Sequence, residues 1–153
     1  MEEQDRKLLR DFETGSIDLA EWDQRKHVAI AFLYLREHGL ESSLARLRDR
    51  IQAFNQRHGI EESATSGYNE TTTRALLQIV YSVMQAYENY LPVSSADEFC
   101  DAHPELMTKH ILRLFYSPER RMHPDAKRKF IEPDLAPLPE GPGSLPSEGS
   151  TSG

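Results

Sequence analysis

The sequence predicts an all-α fold: a single-domain helical bundle of about four main helices, with shorter helices between them. Three observations predict it. Residues 28–35 read Val-Ala-Ile-Ala-Phe-Leu-Tyr-Leu with no polar face, and a helix that is apolar all round is a buried one. Apolar residues recur at spacings of three and four in two further stretches, Leu44, Leu47, Ile51 and Phe54, then Leu77, Val80, Met84, Tyr87 and Leu91, which is the helical period. All nine prolines lie at or after Pro92, so none interrupts a helix before it. There is no strand-pairing pattern and no internal repeat.

Taken in order, residues 3–13 place Leu8, Leu9 and Phe12 on one side of a short amphipathic helix, broken by Thr14-Gly15-Ser16. Asp18 and Glu21 have the spacing of a capping box, and Ile17 with Trp22 that of a hydrophobic staple. The central helix is therefore expected over about residues 19–38, stopped at His38-Gly39. A second long helix covers 41–58 and ends at Gly59. Arg46, Arg48, Asp49 and Arg50 fall mostly off its apolar stripe and read as a solvated face. After a polar loop at 61–67, Asn69 is a cap for a helix running to Leu91. Ser95 and Glu98 give a second capping box and a short helix. Pro104 opens a further helix over 104–116, with Met107, Ile111, Leu114 and Phe115 toward the core. From Ser117 a basic arm follows, with Arg120, Arg121, Lys127, Arg128 and Lys129 read as solvated, an anion site being the alternative, and Phe130 and Ile131 able to pin it to the bundle. Residues 136–153 are Pro, Gly and Ser with little to bury and are expected to be a disordered tail on a 1–135 domain.

The bulk numbers exclude several classes. A net charge of −7 argues against binding nucleic acid or an anionic membrane. No apolar run approaches the ~20 residues of a membrane span, and the charged N-terminus is not a signal peptide. The chain is expected to be cytoplasmic. Cys100 is alone, so an internal disulfide and a cysteine zinc cluster are ruled out, and it reads as an inert, half-buried thiol. No phosphate-binding glycine loop, nucleophile elbow or nucleotide fingerprint is present.

Short loops make successive helices antiparallel. That brings His27, His58, Tyr68, Asn69 and Glu70 to one end of the bundle, with His58 as an exposed helix end. Rises along the helices put His110 level with His27. Tyr34 follows Ala31 on the helical row of His27, and the small Ala31 leaves room there for a ligand. A buried histidine titrates near neutrality, and a carboxylate or phenol can orient it. The expected site is an acid/base pocket for a small molecule, with His27 as acid/base, Glu70 and Tyr68 orienting it, and Asn69, Tyr34 and His110 contacting the ligand. A mononuclear metal site from His27, His110 and Glu70 is conceivable, but Glu-x-x-His spacing is missing; no metal ligand is assigned and no cofactor is implied. The alternative is a non-catalytic binding or interaction module, such as a homodimer formed through an exposed apolar helix face.

The stretches WDQRKHVAIAFLYL, GYNETTTRALL and FYSPERRMHPDAKRKFIEPDL together resemble a family of small bacterial proteins, over about residues 12–135. The family's pattern is an aromatic residue, H-x-x-H and an apolar helix, then G-Y-H-E-T with a second apolar helix, and a closing Pro-Asp. The resemblance implies an all-helical fold and no particular activity. It matches at Trp22, His27, Gly67, Tyr68, Glu70, Thr71, Pro133 and Asp134. Gln24 and Asn69 stand where the family has histidines, so a metal held there by relatives would lack two ligands here.

Overall fold

Gly39 folds the longest helix back on itself. In the computed structural model, which describes residues 1–140, the chain is all helical with no strand among the described residues. The helices are α1 (Glu3–Glu13), α2 (Gln24–Arg57), α3 (Glu70–Tyr87), α4 (Ala96–Ala102) and α5 (Pro118–Arg121). Single 3-10 turns lie at Leu19–Glu21, Pro104–Leu106 and Ile111–Leu114. The 34 residues of α2 would span about 51 Å if straight. Instead Gly39 takes φ 74°, ψ −178°, a region reserved for glycine. Trp22, just before the first arm, and Phe54, near the end of the second, lie with ring centroids 5.1 Å apart. Arms 24–38 and 40–57 are thus the two antiparallel helices the sequence predicts.

The first arm is the centre of the core. Every residue of 28–35 is buried, each large side chain there contributing about 1.5–3 kcal/mol over an exposed one. Phe99 of α4 stacks on Phe32 at 4.5 Å, and Phe12 of α1 meets Tyr34 edge-on at 6.1 Å. None of the described helices is long and apolar enough to cross a membrane.

The start of α2 differs from expectation. Asp18 makes no capping bond, and Asp23 is the cap, its Oδ1 accepting from Lys26 N at 3.0 Å. The reason is Trp22. Its ring is sandwiched among Phe12 (5.4 Å), His27 (4.2 Å) and Phe54, and it reaches them from a non-helical backbone at φ −81°, ψ 75°. Packing of one large ring overrides the Asp18–Glu21 box.

The helix expected over 104–116 does not form; two 3-10 turns stand there. Leu106, Ile111, Leu112 and Tyr116 are all buried, a set that no single helical face carries. Leu114, expected in the core, is 68% exposed. The chain is held in this path by long-range bonds: Gln24 Nε2 donates to Leu106 O at 3.0 Å, and Tyr116 Oη to Ile131 O at 2.7 Å. At α3 the cap is as predicted, Asn69 Oδ1 accepting from Thr72 N at 2.9 Å, although the helix ends at Tyr87 rather than Leu91. At α4 Ser95 Oγ accepts from Glu98 N at 3.1 Å, and the Glu98 carboxylate reaches back to Ser94 N at 2.9 Å.

The start of the expected tail is packed. Leu138 is buried, and Pro139 O accepts from Gln78 Nε2 at 3.2 Å and Ser82 Oγ at 3.1 Å. The rest of the tail, from 141, lies outside the described residues.

Candidate functional site

Between the arms of α2 and the head of α3 lies a cavity of about 210 Å³. Its walls are mostly apolar, with Ile30, Ala31, Leu47, Ile51, Leu76 and Leu77 among them. A 150 Å³ apolar cavity holds one benzene ring, so this one has room for a substituted ring or a fused pair. The space lies beside Ala31, as the sequence suggests.

Four of the polar groups on the wall matter for a ligand: His27, Asn55, Tyr68 and Asn69. His27 Nδ1 sits 2.6 Å from Asp23 O. A carbonyl can only accept, so Nδ1 carries the proton and Nε2 keeps its lone pair. Nε2 has no hydrogen-bond partner among the described residues. Burial holds the His27 pKa below its ordinary value, and the contacts to Asp23 only partly offset this. The imidazole is therefore neutral near pH 7, with its basic nitrogen free.

Asn55 is 8% exposed, and its side-chain amide makes no hydrogen bond among the described residues. The amide is not sealed from solvent, and Asn55 stands on the cavity wall with its hydrogen-bonding capacity unused by the protein. In the sequence it stands four residues after Ile51, a polar residue on the apolar stripe of the second arm.

Tyr68 reaches the cavity, but its hydroxyl is spent, donating to Glu70 Oε1 at 2.7 Å. Glu70 does not line the cavity. It faces the opposite side, where Arg48 grips it through Nε (2.9 Å) and Nη2 (2.7 Å). Arg48, expected on a solvated face, is the partner of a buried carboxylate. Asn69 lines the cavity with its Oδ1 already engaged as the cap.

Two expected ligand contacts are placed elsewhere. Tyr34 is buried with its hydroxyl donating to Glu13 Oε1 at 2.9 Å, away from the cavity; its ring meets Phe12 of α1. His110 is exposed and apart from His27, because the helix that would have lifted it does not form. His58 is half-buried rather than an exposed end, its ring 4.3 Å from Phe54 and its Nε2 3.1 Å from Gly15 O. The conceivable His27, His110 and Glu70 metal site does not assemble, and no three His, Cys, Asp or Glu side chains converge to hold a metal among the described residues. A buried histidine the sequence reading missed, His103, packs between Phe99 (4.7 Å) and Tyr87 (5.2 Å).

The residues shared with the G-Y-H-E-T pattern also have structural work. Gly67 takes φ 97°, and a Cβ there would strike the Glu62 carboxylate, which accepts from Tyr68 N at 3.0 Å and Lys127 Nζ at 3.1 Å. Thr71 Oγ1 donates to Ala126 O (2.7 Å) and Lys129 O (3.0 Å) and accepts from Ile131 N (3.1 Å). Glu70 N and Thr71 N bond Lys127 O and Ala126 O. The C-terminal arm thus satisfies the free amides at the start of α3. Asp134 accepts from Ser117 N at 2.8 Å and Ser117 Oγ at 2.6 Å. No protein-family model, curated protein or solved structure matches the chain.

Proposed function

We propose that the chain binds a small, mostly apolar molecule, of one substituted ring or a fused pair, in the cavity beside His27. One observation carries this: His27 Nε2 and the Asn55 amide, both without a protein partner, line the same apolar cavity. A ligand carrying an N–H or O–H would donate to Nε2, and its carbonyl or ring nitrogen would accept from the Asn55 amide. Sites of this kind are largely apolar, with a few placed polar groups that fix orientation.

The test is ligand-observed NMR with a set of single-ring and fused heteroaromatic fragments on wild type, His27→Ala and Asn55→Leu. Leu replaces Asn55 at similar volume and leaves no protein group without its partner, so the fold should hold. Fragments that bind wild type and lose affinity in both variants support the reading. Equal binding to all three, or none to any, defeats it.

A second reading is favoured by the tautomer. A neutral imidazole with Nδ1–H held by Asp23 O is arranged as a general base at Nε2. In that reading His27 takes a proton from the bound molecule, the backbone carbonyl filling the orienting role expected of Glu70. Turnover that is flat across the histidine range of pH would count against it.

A further inference from the structure

The basic arm forms one side of a second, larger cleft, of about 810 Å³, between the 64–72 segment and residues 113–135. Arg113, Tyr116, Arg121, Met122, Lys127 and Leu135 are among its walls, and no carboxylate is. This is unexpected in a chain with 25 acidic and 18 basic residues. Lys127 is committed to Glu62, Ser63 O and Ser66 O. The Arg113 and Arg121 side chains make no ion pair or hydrogen bond among the described residues. Two apolar side chains of the same lining stand out: Met122 is 72% exposed and Leu135 59%. Leu135 is held there by its N–H, which bonds Phe115 O at 2.9 Å. Nearby His110 has its pKa lowered by desolvation and by the positive charge of Arg113, Lys109 and Arg121.

Arginine, methionine and aromatic residues with acids depleted is the composition of a protein interface core. A free small anion would leave the protruding Met122 and Leu135 unused. We propose that this face docks an acidic segment of another protein, its carboxylates on Arg113 and Arg121 and its apolar anchors on Met122 and Leu135. Charge complementarity selects that partner over a basic one.

The experiment is fluorescence anisotropy with a labelled peptide of Glu and Leu, the leucines at helical i, i+3, i+4 and i+7 spacing. Controls replace every Glu by Lys, or every Leu by Ser. The protein is wild type, Arg113→Ala/Arg121→Ala and Met122→Ser/Leu135→Ser, all changed at solvent-facing side chains. Saturable binding of the Glu/Leu peptide is expected, falling at least about tenfold for either control and for either variant, and weakening with salt. No saturable binding, equal binding of the Lys/Leu or Glu/Ser peptide, or undiminished binding to the variants overturns it. So does sedimentation showing wild type as a dimer that Arg113→Ala/Arg121→Ala dissociates, since the occupant is then a second copy of this chain.

Discussion

Arg48 closes on Glu70 with two hydrogen bonds, at 2.9 and 2.7 Å, and ties the second arm of α2 to the first turn of α3. Tyr68 completes the carboxylate's shell at 2.7 Å. Burial pushes the Glu70 pKa up, but the bonds from Arg48 and Tyr68 outweigh it and hold the value below the ordinary one. The group's stabilising contribution is present above the unfolded pKa of 4.5 and is lost as pH falls through the lower folded value. Removing one partner of a fully buried pair costs about 3–5 kcal/mol. The Arg48 side chain is 42% exposed, so Arg48→Ala should cost less, about 2 kcal/mol at pH 7. Its acid limb of stability should move to higher pH, because the orphaned carboxylate protonates more readily. Urea unfolding of wild type and variant across pH 3–7 checks both, and a variant with the wild-type midpoint throughout would show the pair to be ornamental.

Gly39 is the cheapest place to break the hairpin of α2. A Cβ there meets nothing within 4 Å, so the cost of Gly39→Ala is conformational alone. At φ 74°, ψ −178° that cost is about 1–3 kcal/mol. The thermal midpoint should fall accordingly, while Gly39→Asn should recover little, since asparagine tolerates the left-handed helical region rather than this extended one. A calorimetric midpoint unchanged in Gly39→Ala would mean the arms alone dictate the turn.

The bundle was legible because its helices carry strong local patterns. The all-apolar 28–35 stretch, the 44–54 stripe and the Asn69 cap each point to one answer, and tertiary packing agrees with them. The misses occur where distant contacts overrule local preference. Trp22 moves the start of α2 by inserting among Phe12, His27 and Phe54. The 104–116 stretch gives up its helix to bury Leu106, Ile111, Leu112 and Tyr116 in different directions. Of the candidate site, His27, Tyr68 and Asn69 do meet at one cavity. Glu70 is turned away because an arginine in a different helix, 22 residues earlier, claims it. Asn55 is not legible as a site residue in the sequence, because a single polar residue on an apolar stripe acquires meaning only once its lack of protein partners can be seen.

Thr71 provides the most direct test of the C-terminal arm's role. Its buried hydroxyl donates to Ala126 O and Lys129 O and accepts from Ile131 N. Thr71→Val keeps the volume but takes the partner from Ile131 N and Lys129 O, while Ala126 O keeps the Thr71 N–H, costing about 1–3 kcal/mol. Thr71→Ser keeps the hydroxyl and should cost less. Amide hydrogen exchange should quicken first at Ile131, and at Glu70 and Thr71, whose N–H groups bond the same arm. Uniform acceleration over the whole chain would instead assign Thr71 to the global core.

His27 gives the fold a pH dependence of opposite origin from Glu70. Its folded pKa lies below the unfolded 6.5 because burial disfavours the imidazolium. As pH falls through 6.5 the unfolded chain takes a proton that the folded chain refuses, so stability declines; the decline stops once the folded histidine also protonates. Above 6.5 neither state is charged and this residue contributes no slope. His27→Gln, which cannot titrate, should therefore remove the part of the stability slope that sets in as pH falls below 6.5 and leave the slope that the carboxylates contribute at lower pH. Denaturant unfolding of both proteins over that range, with the His27 ring protons followed by NMR, measures the two sides of the linkage separately. A ring that titrates at or above 6.5 would remove the burial of its charged form as the cause, and with it the neutral imidazole on which ligand binding at Nε2 depends.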